Sequence, residues 1–291
     1  MRDYIIFTDS GADLSDSMVK EWGVEIIPIL FLFGTQSFEG WPDEREITFK
    51  EFYRRLREGE TSSTSQVNIT DYIEYFTPYL AQGKDILYIG LSSGLSGTLN
   101  SARLAVEELS VKHPEASIKA IDSLGASLGQ GMLVWHAVQM KKQGKPLAEI
   151  AGWLEENLLK AAMWFTVDDL NFLRRGGRLS AGAAILGGML NIKPVLHVDN
   201  AGKLIPMEKV RGRKASFTAL LDHMEKTGVD IAGQTIFLSH GDCLEDAEGI
   251  AAEIRSRFGV KEVMLSYIGP VVGSHSGPGT IALFYMGTHR D

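Results

Sequence analysis

Short runs of hydroxyl, carboxylate and glycine residues follow the apolar segments of this chain, and these types of residue could bind a ligand. They stand at residues 8–11 (TDSG), 90–98 (GLSSGLSGT), 122–123 (DS) and 239–242 (SHGD). If the apolar segments are parallel strands, their carboxyl ends meet at one edge of a sheet, where open α/β folds bind ligands. Hydroxyls and free backbone N–H groups there are typical of a receptor for an anionic head group. Taken singly, each of these residues is better explained as an ordinary turn or helix cap.

Two further loops are predicted to fold over the same edge. Thr64, Ser65 and Gln66 stand just before a predicted helix, and residues 269–280 (GPVVGSHSGPGT) form a glycine- and proline-rich loop after a strand. Such a loop costs much conformational entropy to order unless its backbone approaches a ligand closely. His275 is therefore the leading non-hydroxyl ligand contact, with a structural histidine in a tight turn as the alternative.

Residues 90–94 also satisfy the G-x-S-x-G pattern of the α/β-hydrolase nucleophile elbow. Ser92 would be the nucleophile, and Asp242 and His275 follow in the order that such triads require. Residues 94–97 prolong the loop at the point where a hydrolase helix begins at once, which argues against this reading. A serine hydrolase acting on an ester or thioester stays open as an alternative function.

Residues 173–178 (LRRGGR) place three guanidinium groups, Arg174, Arg175 and Arg178, beside two glycines. Arginine is well suited to phosphate and carboxylate because its planar fork donates two parallel hydrogen bonds. A small module that binds a phosphorylated ligand is therefore a second alternative function. A solvated turn explains the same residues equally well.

Composition argues against several other classes of function. The chain of 291 residues has 29 Lys and Arg against 37 Asp and Glu, so its net charge of −8 repels nucleic acid and anionic membrane surfaces. Its single cysteine, Cys243, excludes an intrachain disulfide and suits a reducing compartment. No zinc pattern, P-loop or dinucleotide-binding motif is present, so neither a metal nor a cofactor is expected.

The distribution of apolar residues predicts a cytoplasmic protein. The amino terminus lacks the charged region and cleavable apolar stretch of a signal peptide. The longest apolar stretch, residues 26–33, is interrupted by Pro28 and falls far short of the roughly 20 residues of a membrane-spanning helix. We expect it to form one buried strand.

The alternation of apolar runs with amphipathic segments predicts an α/β protein of two α/β domains, residues 1–160 and 161–291. In the first, strands at 4–8, 85–90 and 117–121 and crossover helices between them predict a mostly parallel sheet. In the second, strands at 192–198 and 203–210 flank the turn Asp199, Asn200, Ala201, Gly202. That turn indicates a hairpin, so the second sheet is predicted to be mixed, with further strands at 235–239 and 262–267.

Six motifs together resemble the DegV family. They are FTDSGAD at 7–13, TSQ at 64–66, SSGLSGT at 92–98, LRRGGR at 173–178, IKP at 192–194 and GPVVGSHSGPGT at 269–280. They cover nearly the whole chain in family order, and the GGR and GxHxGPGT elements are specific. One departure is Val67, where the family often has proline after TSQ, and this difference predicts a less rigid loop.

The resemblance implies a two-domain protein that binds a long-chain fatty acid in an apolar tunnel between its domains. Thr64 and Ser96 would hold the carboxylate, with Ser93 and His275 nearby and Ser65 and Gly277 as further contacts from the same loops. The candidate tunnel wall is residues 181–190, whose small side chains leave room for an alkyl chain. Close helix packing explains the same composition.

The resemblance also implies a partner protein. Some DegV proteins are the binding subunits of a bacterial fatty-acid kinase, in which a separate, dihydroxyacetone-kinase-like subunit phosphorylates the bound acid to an acyl phosphate. The chain alone would then be a ligand-binding protein with no catalytic residue. Arg174, Arg175 and Arg211 are the expected contacts for the kinase subunit, since they form basic clusters on an acidic protein.

Overall fold

The chain folds as alternating strands and helices in the computed structural model, which describes residues 2–179 and 191–290. We call the residues up to 160 the N-terminal half and those from 161 the C-terminal half. The N-terminal half contains β1 (Tyr4–Asp9), α1 (Asp16–Trp22), β2 (Glu25–Ile27), β3 (Leu30–Phe33), β4 (Gln36–Glu39), α2 (Phe49–Arg57), β5 (Ser62–Ser65), α3 (Ile69–Ala81), β6 (Asp85–Gly90), α4 (Thr98–Lys112), β7 (Ile118–Asp122), α5 (Leu128–Lys142) and α6 (Leu147–Asn157). The C-terminal half contains β8 (Ala161–Thr166), α7 (Asn171–Arg175), β9 (Ile192–Val198), β10 (Leu204–Arg211), α8 (Arg213–Thr227), β11 (Thr235–His240), α9 (Leu244–Phe258), β12 (Glu262–Tyr267), α10 (Pro270–Ser276) and β13 (Ile281–Met286).

A four-stranded parallel sheet organises the N-terminal half, with the strand order β2-β1-β6-β7. Its central strand β6 is fully buried from Ile86 to Ile89, as expected for a parallel strand that is covered on both faces. Thr8 of β1 pairs with Ile89, and Gly90 pairs with Asp122 of β7. Three strands therefore end side by side, and the loops that follow them leave from one edge. This arrangement confirms the predicted parallel sheet.

A six-stranded mixed sheet organises the C-terminal half, in the order β10-β9-β8-β13-β11-β12. Strands β11 and β12 are parallel, whereas the other neighbouring pairs are antiparallel. In the turn between β9 and β10, the Gly202 N–H donates to the Asp199 carbonyl at 2.9 Å. Gly202 has a φ of +70°, which glycine adopts without steric cost. The predicted hairpin and mixed sheet are confirmed.

The single strand predicted at residues 26–33 is wrong. The segment forms two strands in different sheets: β2 joins the parallel sheet, and β3 lies at the centre of a three-stranded antiparallel sheet, β4-β3-β5. The break comes at Pro28, which has no N–H to donate to a sheet ladder. Beyond it, the Ile29 N–H donates to Ser10 Oγ at 2.9 Å, so a side chain replaces a strand partner.

Two segments that were predicted as loops have regular structure. Thr64 and Ser65 belong to the edge strand β5, where Thr64 pairs with Phe31 of β3. Most of the glycine-rich segment after β12 forms the short helix α10. Pro270 starts this helix, because a proline in the first turn has no N–H to leave unsatisfied and its φ is already helical.

Helix α5 connects the two sheets. One hydrophobic cluster contains Met132 and Leu133 of α5 together with Ile6 of β1 and Phe237 and Phe284 of the mixed sheet. The core is therefore continuous across residue 160, and the division into domains 1–160 and 161–291 stays a prediction. Within residues 2–179 and 191–290, no helix has both the length and the hydropathy to cross a membrane.

Arg290 ties the halves together near the carboxyl end of the chain. The residue is 1% exposed, and its guanidinium donates to backbone carbonyls of Ala161 at 3.0 Å, Leu158 at 2.7 Å and Leu124 at 2.5 Å. Leu124 lies between β7 and α5, whereas Leu158 lies between α6 and β8 and Ala161 starts β8. A buried guanidinium with several acceptors fixes their relative positions.

We expect Arg290→Met to lower the free energy of unfolding by about 3 kcal/mol, because it leaves several buried carbonyls without a donor. Urea denaturation of the wild type and the variant measures the change. His289→Ala is the matched control, since His289 is the exposed neighbour and its removal should cost less than about 0.5 kcal/mol. A loss below about 1 kcal/mol in Arg290→Met would show that the guanidinium does not join the halves.

Candidate functional site

A cavity of about 240 Å³ lies between the two halves. A single buried water needs only about 15 Å³, so this cavity has room for a far larger ligand. Most of its wall is apolar and comes from both halves of the chain. Representative residues are Ile29 and Leu91 from the N-terminal half and Phe165, Val198, Val271 and Phe284 from the C-terminal half.

Polar residues that line the cavity come mainly from the segments singled out in the sequence. Among them are Thr64, Ser65, Gln66, Ser96, Arg178 and His275. Strand β5 brings Thr64 and Ser65, and Gln66 directly follows it. The loop between β6 and α4 brings Ser96, and α10 brings His275. An apolar cavity with a few polar groups is the usual form of a small-molecule site, because the polar groups set the orientation of the ligand.

Strand β5 is fastened to helix α10 by two side-chain hydrogen bonds. Thr64 Oγ1 lies 2.8 Å from His275 Nε2, and Ser62 Oγ lies 2.7 Å from Ser274 Oγ. Ser62 and Thr64 are two residues apart, so they point to the same face of the strand. Because side chains alternate between the two faces of a strand, Ser62 and Thr64 both contact α10. The Thr64–His275 pair therefore lies where the two halves contact each other.

His275 is a neutral imidazole at physiological pH. Burial, and secondly the nearby Arg178 cation, lower its pKa to about 4. Nδ1 is buried and has no hydrogen-bond partner among the described residues. Since a buried N–H without an acceptor is rarer than a buried lone pair without a donor, we assign the proton to Nε2, which donates to Thr64 Oγ1. The Thr64 O–H is then available for a ligand.

Arg178 supplies the positive charge of the cavity. Its Nε donates to the Leu95 carbonyl at 3.0 Å and its Nη1 to the Gly176 carbonyl at 2.5 Å. These bonds link the loop before α4 to the turn after α7. Burial lowers the pKa of Arg178, yet a guanidinium keeps its proton in proteins. An anion that enters the cavity therefore meets one fixed cation.

Close packing around His275 requires glycine at position 176. A Cβ at Gly176 would lie 2.2 Å from His275 Nδ1, far inside van der Waals contact. The GGR part of the arginine motif thus lets backbone pass directly beside the imidazole, while Arg178 reaches into the cavity from the next turn. The sequence showed the motif, but it did not indicate that Gly176 packs against His275.

Ser96 lines the cavity and also takes part in the turn before α4. Its Oγ donates to Thr98 Oγ1 at 2.9 Å and accepts from the Thr98 N–H at 3.3 Å. Gly97 directly precedes α4. A Cβ added at this position would lie 2.1 Å from Gln66 Oε1, so a larger residue would clash with Gln66. The hydroxyl of Ser96 must rotate away from Thr98 to donate to a ligand.

The structure brings four of the six predicted ligand contacts to the cavity: Thr64, Ser65, Ser96 and His275. Ser93 and Gly277 do not line it. Ser93 is exposed, and its N–H donates to Asp122 Oδ1 at 3.2 Å. Gly277 has a φ of +77° and packs beneath Phe172 of α7, so its role is to end α10. The predicted tunnel wall at residues 181–190 lies outside the described residues.

The hydrolase triad is not assembled. Ser92 is fully buried, and its Oγ donates to the Gly202 carbonyl at 2.8 Å and accepts from the Gly94 N–H at 3.1 Å. Asp242 pairs with Arg57, and His275 contacts Thr64 instead. A serine nucleophile needs a base within hydrogen-bond reach of its hydroxyl, and neither candidate partner is there. The G-x-S-x-G pattern here is a structural turn that anchors the β9–β10 hairpin.

The arginine cluster is divided by the structure. Arg174 and Arg175 are exposed on α7, and the Arg175 guanidinium lies 4.7 Å from the centre of the Phe172 ring. Arg178 lines the cavity. Arg211 is exposed at the end of β10. Because the guanidinium groups face different surroundings, they do not form the shared phosphate site of the second alternative function.

Several cavity residues were missed from the sequence. Arg178 was grouped with its exposed neighbours, and Ser127, Ser276 and Thr280 were not considered as contacts, although all four line the cavity. Ser127 has a φ of 55° and a ψ of −150°, and its Oγ lies 2.8 Å from Ser239 Oγ. In the described part of the chain, no cluster of three acidic, histidine or cysteine side chains could hold a metal ion.

Comparison with known proteins gives one family. The family model described as "Uncharacterised protein, DegV family" matches residues 4–288. A DegV domain-containing protein of Clostridium perfringens is 47% identical over 291 residues, which is 100% of both chains.

Solved structures of similar fold come from the same family. A DegV lipid-binding protein of Thermotoga maritima has a TM-score of 0.87 and 28% identity, covering 99% of this chain and 100% of the other. A DegV family protein of Thermus thermophilus, described by its fatty acid binding, gives the same values. DegV of Bacillus subtilis, described as a fatty acid binding protein, has a TM-score of 0.83 and 29% identity with the same coverage.

The electrostatics of the polar end can be tested through His275. Its ring should titrate at about pH 4, and Arg178→Gln should raise that pKa because the neighbouring cation is removed. Nuclear magnetic resonance of imidazole-labelled protein follows the titration. His136 is the internal control, since burial alone lowers its pKa to about 4 and the variant should leave it unchanged. A His275 midpoint near 6.5, the value of a free histidine, would contradict the neutral, buried state.

Proposed function

The chain belongs to the DegV family, as its motifs predicted, and from that premise we propose that it binds one long-chain fatty acid in the cavity between its halves. The carboxylate lies at the polar end beside Thr64, Ser96, His275 and Arg178. The alkyl chain lies along the apolar wall. The proposal rests on one observation: the wall of this cavity is mostly apolar, and it also contains hydroxyl, imidazole and guanidinium groups.

The polar end suits a carboxylate better than a neutral head group. Thr64 has an O–H to give, Ser96 gains one when its hydroxyl turns from Thr98, and Arg178 contributes the compensating charge. A fatty acid carboxyl group ionises well below pH 7, as other carboxyl groups do. The neutral His275 orients Thr64 without adding a second charge. Related proteins whose structures are described by lipid or fatty acid binding support the same ligand class.

Most of the affinity should come from the alkyl chain. Burying about 15 methylenes at about 0.8 kcal/mol each contributes roughly 12 kcal/mol before the costs of association. Each charge-assisted hydrogen bond to the carboxylate contributes about 1.5 to 3 kcal/mol. The head-group residues therefore set the direction in which the acid enters, and the apolar wall retains it.

We further propose that the chain presents the bound acid to a separate, dihydroxyacetone-kinase-like subunit and is not itself a catalyst. Ser92, the candidate nucleophile, is buried and hydrogen-bonded to backbone. Helix α7 carries Leu173 in the cavity wall and Arg174 and Arg175 on the exposed side. These arginines therefore lie outside the wall of the cavity that holds the acid, and a kinase subunit could contact them together with Arg211.

The ligand class can be identified directly. Protein purified without added lipid should release a long-chain fatty acid at about one molecule per chain when it is denatured and examined by mass spectrometry. The acid should bind again to delipidated protein. Recovery of a phosphorylated metabolite instead, or of no lipid together with no uptake of added acid, would refute the proposed function.

The division of labour between head and tail predicts residual binding in a variant without head-group hydroxyls. Thr64→Val combined with Ser96→Ala should weaken binding of a saturated acid by about a hundredfold, since two hydrogen bonds to a charged group are lost. Displacement of a fluorescent acid measures the affinity. Ser63→Ala, an exposed position on the opposite face of β5, should leave it unchanged. Complete loss of binding with an intact fold would show that the alkyl chain does not dominate.

The role of the exposed arginines can be separated from lipid binding. Arg211→Glu should weaken association with the kinase subunit at least tenfold, because it replaces an attractive charge by a repulsive one, while the amount of bound acid stays the same. Interferometry measures association, and mass spectrometry measures the lipid. Lys226→Glu on α8 makes the same charge change at another exposed site and should have little effect. Loss of lipid in Arg211→Glu would place this residue in the pocket instead.

A further inference from the structure

The cavity wall contains a hydroxyl that the head-group arrangement does not use. Ser276 lines the cavity and is only 5% exposed. Its Oγ is buried and has no hydrogen-bond partner among the described residues. Leaving a buried hydroxyl unsatisfied costs free energy, so native proteins pair such groups with protein, water or ligand atoms. Because Ser276 belongs to the cavity wall, a ligand bound in the cavity can supply that partner.

Neighbouring hydroxyls show how unusual this position is. Ser274, on the same helix, donates to the Pro270 carbonyl at 2.7 Å, four residues earlier. Thr280 donates to the Ser276 carbonyl at 3.0 Å and to the Gly277 carbonyl at 2.9 Å. Both hydroxyls are satisfied by local backbone, as is common for serine and threonine near helix ends. Ser276 lies on the same helix as Ser274, yet its Oγ makes no hydrogen bond to a backbone carbonyl of the described residues.

The place of Ser276 in the chain limits which part of a ligand it can reach. It directly follows His275, so the two Cα atoms are about 3.8 Å apart. His275 holds the Thr64 hydroxyl at the polar end of the cavity. If the carboxylate binds there, the atoms closest to Ser276 belong to the first few carbons of the alkyl chain. Ordinary methylenes at that point offer the hydroxyl neither a donor nor an acceptor.

We propose that Ser276 recognises an oxygen substituent close to the carboxylate, and that the cavity accepts 3-hydroxy acyl chains as well as unsubstituted ones. A ligand hydroxyl both donates and accepts, as the Ser276 hydroxyl does, so each can satisfy the other. This inference rests on the proposed function, since it presumes a fatty acid with its head at Thr64. The inference adds 3-hydroxy acids as a class of ligand, which the contacts of Thr64, Ser96 and Arg178 with the carboxylate do not distinguish from unsubstituted acids.

The test compares saturated acids of one chain length that carry no hydroxyl, a hydroxyl on carbon 3, or a hydroxyl on carbon 12. Affinities are measured by displacement of a fluorescent acid from delipidated full-length wild type and Ser276→Ala. The ratio of the affinity for the 3-hydroxy acid to that for the unsubstituted acid should fall about tenfold in the variant, because only the 3-hydroxy acid loses a hydrogen bond. The corresponding ratio for the 12-hydroxy acid should not change.

Ser216→Ala is the matched control, because Ser216 is a helix serine outside the cavity wall whose hydroxyl already donates to a backbone carbonyl, that of Arg213 at 2.6 Å, and it should leave both ratios unchanged. Ser276→Cys keeps the size of the side chain with a weaker donor, and it should give an intermediate ratio if Ser276→Ala does not fold.

Three results would overturn the assignment. An equal loss for all three acids would make Ser276 a carboxylate contact, and no loss for any acid would mean that a water satisfies it. A selective loss for the 12-hydroxy acid would place Ser276 away from the head. If the wild type binds none of these acids, the proposed function itself fails, which is a different outcome from the other three.

Discussion

The hydrogen bond between Thr64 and His275 is the constraint on which the binding site depends. It joins an edge strand of the N-terminal half to a helix of the C-terminal half, at 2.8 Å and largely away from water. A buried imidazole that stays neutral can donate through Nε2 and leave the threonine hydroxyl for another molecule. Gly176 packs directly beside this imidazole, and the Arg178 cation lies near enough to lower its pKa.

Much of the fold followed from local patterns in the sequence. Apolar runs that end at Thr8, Gly90 and Asp122 predicted the parallel strands. The turn at residues 199–202 predicted the hairpin. Both features could be predicted because strand periodicity and turn residues depend on only a few neighbouring positions. The glycine-rich loop alone made His275 a candidate contact, whereas Thr64 and Ser96 became carboxylate contacts through the resemblance to the DegV family. Of these three residues, only Ser96 follows a strand of the parallel sheet.

What the sequence did not reveal depends on partners far away in the chain. Residues 64–66 were predicted as a loop because a run of hydroxyl residues gives no apolar alternation, yet pairing with β3 makes residues 62–65 a strand. Ser92 matched a nucleophile motif, and only the carbonyl of Gly202, 110 residues later, shows that its hydroxyl is occupied. Arg178 could not be separated from Arg174 and Arg175 until the wall of the cavity was known.

A cavity walled by both halves also makes the ligand part of the hydrophobic core. An acid that fills it would bridge Ile29 and Leu91 of the N-terminal half to Phe165 and Phe284 of the C-terminal half. Occupancy then adds to resistance against unfolding by mass action, by about 2.7 kcal/mol when free ligand is a hundredfold above its dissociation constant. The lifetime of the protein under proteolysis would accordingly rise and fall with lipid supply, so that abundance reports nutrient state without any dedicated sensor.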